Sequence, residues 1–201
     1  MRIGIDFDNT IADYDDVFRL AAIRERLVGE TFSGGKQSVR EAVRALERGE
    51  ERWMRLQGRI YGAFMGEARP VQGFERFLAA ARRAGAELYI VSHKTEYGHF
   101  DEERVNLRDA ARRWMRERGF LGDAGVPEAN LFFEASRGEK IDRIREVGCA
   151  HFIDDLEEVF REPGFPASVA RHLLCREGAA LPAGPFTAYR GWDEIGDALF
   201  G

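Results

Sequence analysis

The chain has few cysteines, no long apolar run and no excess of basic charge. Its 201 residues include only Cys149 and Cys175, which share no close spacing with each other or with histidine. A disulfide framework and a cysteine-rich zinc site are therefore not indicated, and two thiols that need not pair fit a reducing cytoplasm. No stretch approaches the roughly 18 apolar residues of a membrane span, and Asp6 comes too early for a signal peptide. The net charge of −5 argues against a nucleic-acid partner.

What remains is the composition of a globular protein. Apolar residues make up 44% of the chain, and 15 residues are phenylalanine. A chain of this length buries enough surface to fold without disulfides or structural metals. It would form one domain, or one domain with a small insertion. We expect a cytoplasmic protein that does not bind a membrane, and the sequence leaves its oligomeric state open.

Short apolar runs alternate with helical patterns along most of the chain. Runs that are apolar almost throughout are typical of strands covered on both faces of a parallel sheet, and their alternation with helices predicts an open α/β sheet of the Rossmann-like kind. The predicted strands are RIGIDF at the start, residues 87–92, 130–134, 150–155 and 170–175, and the predicted helices are residues 74–84, 102–118, 140–146, 156–161 and 192–200. Residues 178–185 are expected to form a loop.

One long segment has no strand pattern. Residues 15–27 are predicted to form one helix, and residues 37–65 one or two more, with an interruption near Gly49. This indicates a small all-helical insertion after the first strand. The insertion also carries arginines at spacings of three and four, from Arg40 to Arg59. We interpret them as a solvated flank balanced by glutamates, and a basic surface facing an anionic substrate is the alternative.

Polar side chains follow the predicted strands where each strand ends. Ligands of open parallel sheets bind at this edge. The residues expected there are Asp6 and Asp8 after the first strand, Ser92, His93 and Lys94 after the second, Lys140 at the helix after the third, and Asp154 and Asp155 after the fourth. Several carboxylates share a small site only with a cation between them, and Mg²⁺ suits a site with carboxylates and phosphate. Carboxylates, Mg²⁺, lysine and a hydroxyl together are suited to phosphoryl transfer.

These residues resemble a known family. DFDNT, Ser92 at the end of LYIVS, Lys140 and FIDD occur in the order of the four motifs of the haloacid-dehalogenase-like (HAD) phosphohydrolase superfamily. The resemblance implies a catalytic core of residues 1–13 and 70–201, and residues 14–69 are similar to the C1 cap of that family. An acid at position 8 points to phosphoryl transfer, because members that cleave carbon–halogen bonds lack it.

The resemblance also implies roles for individual residues. Asp6 would be the phosphorylated nucleophile, Asp8 the general acid/base and a magnesium ligand through its carbonyl, and Thr10 a support of the loop. Ser92 would hydrogen-bond the phosphoryl group and Lys140 would neutralise its charge. The predicted catalytic residues are Asp6, Asp8, Ser92 and Lys140; the substrate-binding residues are Thr10, His93 and Lys94; and the metal ligands are Asp6, Asp8, Asp154 and Asp155.

The sequence therefore predicts a Mg²⁺-dependent phosphatase, of the phosphomonoesterase type, that acts on a small phosphorylated metabolite. Two alternatives remain. A phosphomutase or phosphotransferase would use the same residues, and a non-catalytic protein would only bind a phosphorylated ligand. Lys94 competes with Lys140 for the role of the site lysine, because it follows Ser92 by two residues.

Overall fold

The computed structural model describes residues 1–123, 125–175 and 180–201. Its contacts divide the chain into two compact units. The sheet unit contains Met1–Ala12, Pro70–Lys94 and Gly119–Gly201, and the helical unit contains Asp13–Arg69 and Thr95–Arg118. The predicted loop at residues 178–185 begins outside the described ranges. Within those ranges, none of the helices combines the length and apolar character that a membrane span requires.

A six-stranded parallel sheet forms the centre of the sheet unit. The strands are β1 (Arg2–Ile5), β4 (Glu87–His93), β5 (Leu131–Glu134), β6 (His151–Asp154), β7 (Ala170–Leu174) and β8 (Thr187–Tyr189), in the order β5-β4-β1-β6-β7-β8. Two short strands, β2 (Ala12–Asp13) and β3 (Arg69–Pro70), pair separately where the chain passes between the units. The α/β fold class is confirmed, while β8 was not predicted.

Both faces of this sheet are covered. Successive residues of a strand point to opposite faces, yet Phe152 and Ile153 of β6 are both fully buried. Gly4 makes the packing around Phe152 possible, because a Cβ at this position would lie 2.5 Å from the Phe152 ring. The helices of this unit are α4 (Phe74–Arg83), α6 (Arg137–Val147), α7 (Glu157–Arg161) and α8 (Trp192–Phe200).

The helical unit has its own aromatic core. Its helices are α1 (Asp15–Arg24), α2 (Lys36–Arg44), α3 (Gly49–Tyr61) and α5 (Leu107–Glu117). Phe18 of α1 stacks on Trp53 of α3 with ring centroids 5.1 Å apart. Trp114 of α5 donates its indole N–H to the carbonyl oxygen of Ala68 at 3.0 Å. The predicted helical segments of the insertion are therefore present, and residues 37–65 form two helices.

The helical unit is larger than the insertion that the sequence predicts. Residues 95–118, which lie far along the chain, group with it. The predicted division into a core and a cap at residues 14–69, with its functional meaning, remains a prediction. Four arginines of the series form ion pairs with glutamates of the same unit, which agrees with a solvated flank: Arg44–Glu50, Arg48–Glu51, Arg55–Glu102 and Arg59–Glu25.

Two helix starts differ from the predictions because capping side chains set them. The helix expected from residue 102 begins at Leu107, since the Asn106 side chain accepts hydrogen bonds from the first backbone N–H groups. The helix expected from residue 140 begins at Arg137. There Ser136 and Glu139 form a reciprocal capping box, with the Ser136 hydroxyl accepting from the Glu139 N–H at 3.2 Å.

Candidate active site

The carboxyl ends of three neighbouring parallel strands lie at the same edge of the sheet. Ile5 at the end of β1 is in register with Ile90 of β4 and with Ile153 of β6. The N–H of Asp6 extends this pairing by donating to the carbonyl oxygen of Ile153 at 2.9 Å. The polar residues that follow these strands are therefore brought to one edge of the sheet, as predicted.

Lys140 bridges two of the predicted carboxylates. Its ammonium donates to Asp6 Oδ1 at 2.5 Å and to Asp154 Oδ2 at 2.6 Å. All three side chains are at least nine-tenths buried. A buried ion pair is costly unless both charges are well satisfied, and here one ammonium faces two carboxylates. The cluster therefore has an excess of negative charge when both acids are ionised.

Burial and this excess of negative charge perturb the ionisation of both Asp6 and Lys140. Burial, opposed by the charge of Lys140 and reinforced by Asp154, raises the pKa of Asp6 to about 7. Burial alone would lower the pKa of Lys140, but the two carboxylates have the larger effect and raise that pKa. The Lys140 ammonium is thus a fixed positive charge at the centre of the site.

A second lysine contacts Asp8. The Lys94 ammonium lies 2.8 Å from each of the two carboxylate oxygens of Asp8. The Lys94 side chain is 2% exposed, whereas that of Asp8 is 21% exposed. The two lysines that the sequence left as competitors therefore contact different acids, since Lys140 contacts Asp6 and Asp154.

Thr10 and Asp155 follow the neighbouring strands β1 and β6, and their side chains are in contact. Thr10 is fully buried, and its hydroxyl lies 3.3 Å from Asp155 Oδ1. The Thr10 carbonyl oxygen accepts a hydrogen bond from the indole of Trp192 at 2.9 Å. These contacts fit support of the loop, and a contact of Thr10 with a substrate remains a prediction.

Ser92 and His93 are the last two residues of β4. Ser92 is 1% exposed. His93 is exposed, and its Nε2 lies 3.1 Å from the carbonyl oxygen of Ala135. Both residues stand at the predicted edge of the sheet, and their contacts with a substrate remain predictions.

The overall fold is similar to that of several solved hydrolases. A HAD family hydrolase from Deinococcus radiodurans R1, crystallised with phosphate and sodium, is 15% identical, with a TM-score of 0.63, and the match covers 98% of this chain and 94% of that one. A HAD-superfamily hydrolase of subfamily IA from Geobacter sulfurreducens PCA is 14% identical, with a TM-score of 0.59 and coverage of 98% and 95%. CbbY from Rhodobacter sphaeroides, in complex with phosphate, is 15% identical, with a TM-score of 0.54 and coverage of 97% and 96%.

The chain has the haloacid-dehalogenase-like fold. This similarity confirms, at the level of fold, the resemblance that the four motifs indicate. No model of a known protein family matches the sequence, and no curated protein is significantly similar to it.

In this HAD-like fold, three carboxylates lie close enough together to hold a cation. Asp6, Asp154 and Asp155 each offer an oxygen, and these atoms lie within 4.8 Å of one another. Mg²⁺ holds its oxygen ligands at about 2.0–2.1 Å, so ligands on opposite sides of the ion are about 4.2 Å apart. Small movements would bring the three oxygens to that spacing, and the donor set fits the ion. Asp8 lies outside this cluster, and its predicted role as a carbonyl ligand is untested.

Sequence reasoning missed two features of this candidate site. The capping box at Ser136 and Glu139 was readable as an S-x-x-E pattern at the start of a helix, and it places Lys140 in the first turns of α6. The contact between Lys94 and Asp8 had no local signal, because it joins residues 86 positions apart.

Proposed function

We propose that the protein is a magnesium-dependent phosphatase of the HAD-like hydrolases, acting on a small phosphorylated metabolite. The observation that carries this proposal is the bridge from Lys140 to Asp6 and Asp154, with Asp8 two residues along the same loop. Two proteins of similar fold that were crystallised with phosphate support the choice of a phosphorylated ligand.

In the first half of the proposed reaction, Asp6 is the nucleophile. An oxygen of its carboxylate forms a bond to the phosphorus atom while the bond from phosphorus to the leaving oxygen breaks. Asp8 donates a proton to that leaving oxygen. The Lys140 ammonium and the Ser92 hydroxyl offset the charge on the phosphoryl oxygens. When bound, magnesium would supply further positive charge to the same oxygens.

In the second half, Asp8 acts as a base. It takes a proton from a water molecule whose oxygen forms a bond to phosphorus, and the bond from phosphorus to Asp6 breaks. Inorganic phosphate leaves and the Asp6 carboxylate is restored. Each step uses an acid or base on the DFDNT loop, so both half-reactions depend on the orientation of that short turn.

The predicted alternatives use the same residues with a different acceptor or with no turnover. A phosphomutase or phosphotransferase would pass the phosphoryl group to an organic hydroxyl, and no contact among the described residues favours this over water. We also propose a cytoplasmic location, which the two unpaired thiols Cys149 and Cys175 support.

The test is a phosphate-release screen over a panel of phosphorylated metabolites with Mg²⁺. Asp6→Asn is expected to abolish release while the protein stays folded, and EDTA is expected to abolish it reversibly. Asp197→Asn, the same change at an exposed position of α8, is the matched control and should keep full activity. Full activity of Asp6→Asn, or full activity in EDTA, would contradict the proposal. Isomerised sugar phosphate without free phosphate would favour the mutase.

A further inference from the structure

Lys94 is a buried lysine whose ammonium and backbone N–H both make hydrogen bonds. The chain contains only three lysines among its 30 basic residues, and two of them are buried at the acidic cluster. The Lys94 ammonium contacts both oxygens of Asp8, each at 2.8 Å. A contact with both oxygens restricts the rotation of the carboxylate about its Cβ–Cγ bond.

The backbone and the side chain of Lys94 are themselves fixed. Its N–H donates to the carbonyl oxygen of Glu134 at 2.9 Å, which extends the pairing of β4 with β5. Its ammonium lies 5.2 Å from the centroid of the Phe7 ring, a cation–π distance. Lys94 is therefore an anchored donor, because its main chain belongs to the sheet and its side chain packs on a buried ring.

Asp8 is the residue for which such an anchor matters chemically. In the proposed reaction its carboxyl group gives a proton to the leaving oxygen and later takes one from water. Proton transfer needs the reacting oxygen within hydrogen-bond reach of its partner. A protonated carboxyl keeps an oxygen that accepts hydrogen bonds, so Lys94 can hold Asp8 in both half-reactions.

We propose that Lys94 is a positioning residue that orients the Asp8 carboxyl for proton transfer and acts through Asp8, without binding the phosphoryl group. This inference rests on the proposed function. It gives the two lysines of the site different roles: Lys140 neutralises charge at the nucleophile Asp6, and Lys94 orients the acid/base Asp8.

The test is a double-mutant cycle on the full chain with p-nitrophenyl phosphate and Mg²⁺. Lys94→Met keeps the length of the side chain and removes its charge. We expect kcat to fall about 10- to 100-fold, with KM changed by less than about threefold. In the double variant Asp8→Asn/Lys94→Met, kcat should stay within about threefold of Asp8→Asn alone, because no acid remains to be positioned.

A second measurement follows the first turnover by rapid quench. p-Nitrophenolate leaves without a proton, so Lys94→Met should keep the initial burst of p-nitrophenol and slow only the later turnovers. A lysine that binds the phosphoryl group would instead be needed for the burst itself. Lys94→Arg keeps the charge, and its kcat should be at least about three times that of Lys94→Met.

Controls separate the possible failures. Lys36→Met changes the only other lysine and should leave kcat within about twofold of wild type. If Lys94→Met fails to fold, Lys94→Gln replaces it in the same cycle. Multiplicative losses in the double variant, a lost burst, or a KM increase of about tenfold with unchanged kcat would overturn the positioning role alone. Absence of wild-type turnover over the whole panel would overturn the proposed function and this inference with it.

Discussion

Asp6→Asn should make the metal-free protein more stable at alkaline pH. Burial, only partly offset by Lys140, raises the pKa of Asp6 from 3.8 to about 7. That difference is about three pH units, and each unit corresponds to ~1.4 kcal/mol. Ionising Asp6 in the folded protein therefore costs up to about 4 kcal/mol more than in the unfolded chain. Asparagine has nearly the same size and carries no charge, so the variant avoids this cost.

The way in which the free energy of unfolding changes with pH follows from proton linkage. Between pH 4 and pH 7 the folded protein holds a proton on Asp6 that the unfolded chain has lost. The free energy of unfolding of the wild type therefore falls as pH rises through this window. We expect Asp6→Asn to be more stable than the wild type by about 2–4 kcal/mol at pH 8 and to differ little from it at pH 4.

Urea unfolding in EDTA at pH 4, 6 and 8 measures this difference. Asp197→Asn, at an exposed position of α8, should show no such trend with pH. Adding Mg²⁺ at pH 8 should stabilise the wild type and have little effect on Asp6→Asn, since a ligand stabilises only the state that binds it. If Asp6→Asn is less stable than the wild type at pH 8, the attraction of Lys140 outweighs the cost of burial, and our reasoning is wrong.

Three further predictions concern the surroundings of the site. Ser136→Ala removes the N-cap of α6 and should lower the free energy of unfolding by about 1 kcal/mol in urea; no loss would mean that the cap is unimportant. Trp192→Phe leaves the buried Thr10 carbonyl without its indole donor and should cost about 1–3 kcal/mol; an unchanged urea midpoint would contradict this. Burial and the charge of the neighbouring His151 lower the pKa of His172 to about 4. His172 therefore contributes stability above pH 6.5 that is lost as pH falls towards 4. His172→Gln should be less sensitive to acid than the wild type, and equal slopes between pH 7.5 and 4.5 would refute this.

Much of the sheet could be predicted because its strands carry an unusually clear pattern. The middle residues of β1, β4 and β6 are mostly apolar, as strands buried on both faces require. Asp6 directly follows β1, while β4 and β6 end in polar residues. Parallel pairing then brings those polar residues to one edge without further information. β8 has only three residues, none of them fully buried, and lies at the edge of the sheet, so no apolar run marks it.

The residues that belong to the site were easier to predict than the contacts they make with one another. Which acid each lysine contacts depends on the direction of side chains that leave a strand or a helix turn. For Lys140 that direction depends on the capping box at Ser136, which the sequence does contain. For Lys94 it depends on backbone pairing with Glu134 and on packing against Phe7, and neither contact has a local pattern. The grouping of residues 95–118 with the helical unit is likewise a matter of long-range packing.

The measurement that tests the central claim most directly is chemical trapping of the phosphorylated enzyme. Wild-type protein is mixed with Mg²⁺ and an active substrate of the panel, quenched in acid, and reduced with borohydride, which converts an aspartyl-phosphate to homoserine. We predict homoserine at position 6 in the peptide that carries the DFDNT motif, and none in protein quenched without substrate. Rapid phosphate release with an unmodified Asp6, or with the modification at another acid, would contradict the account.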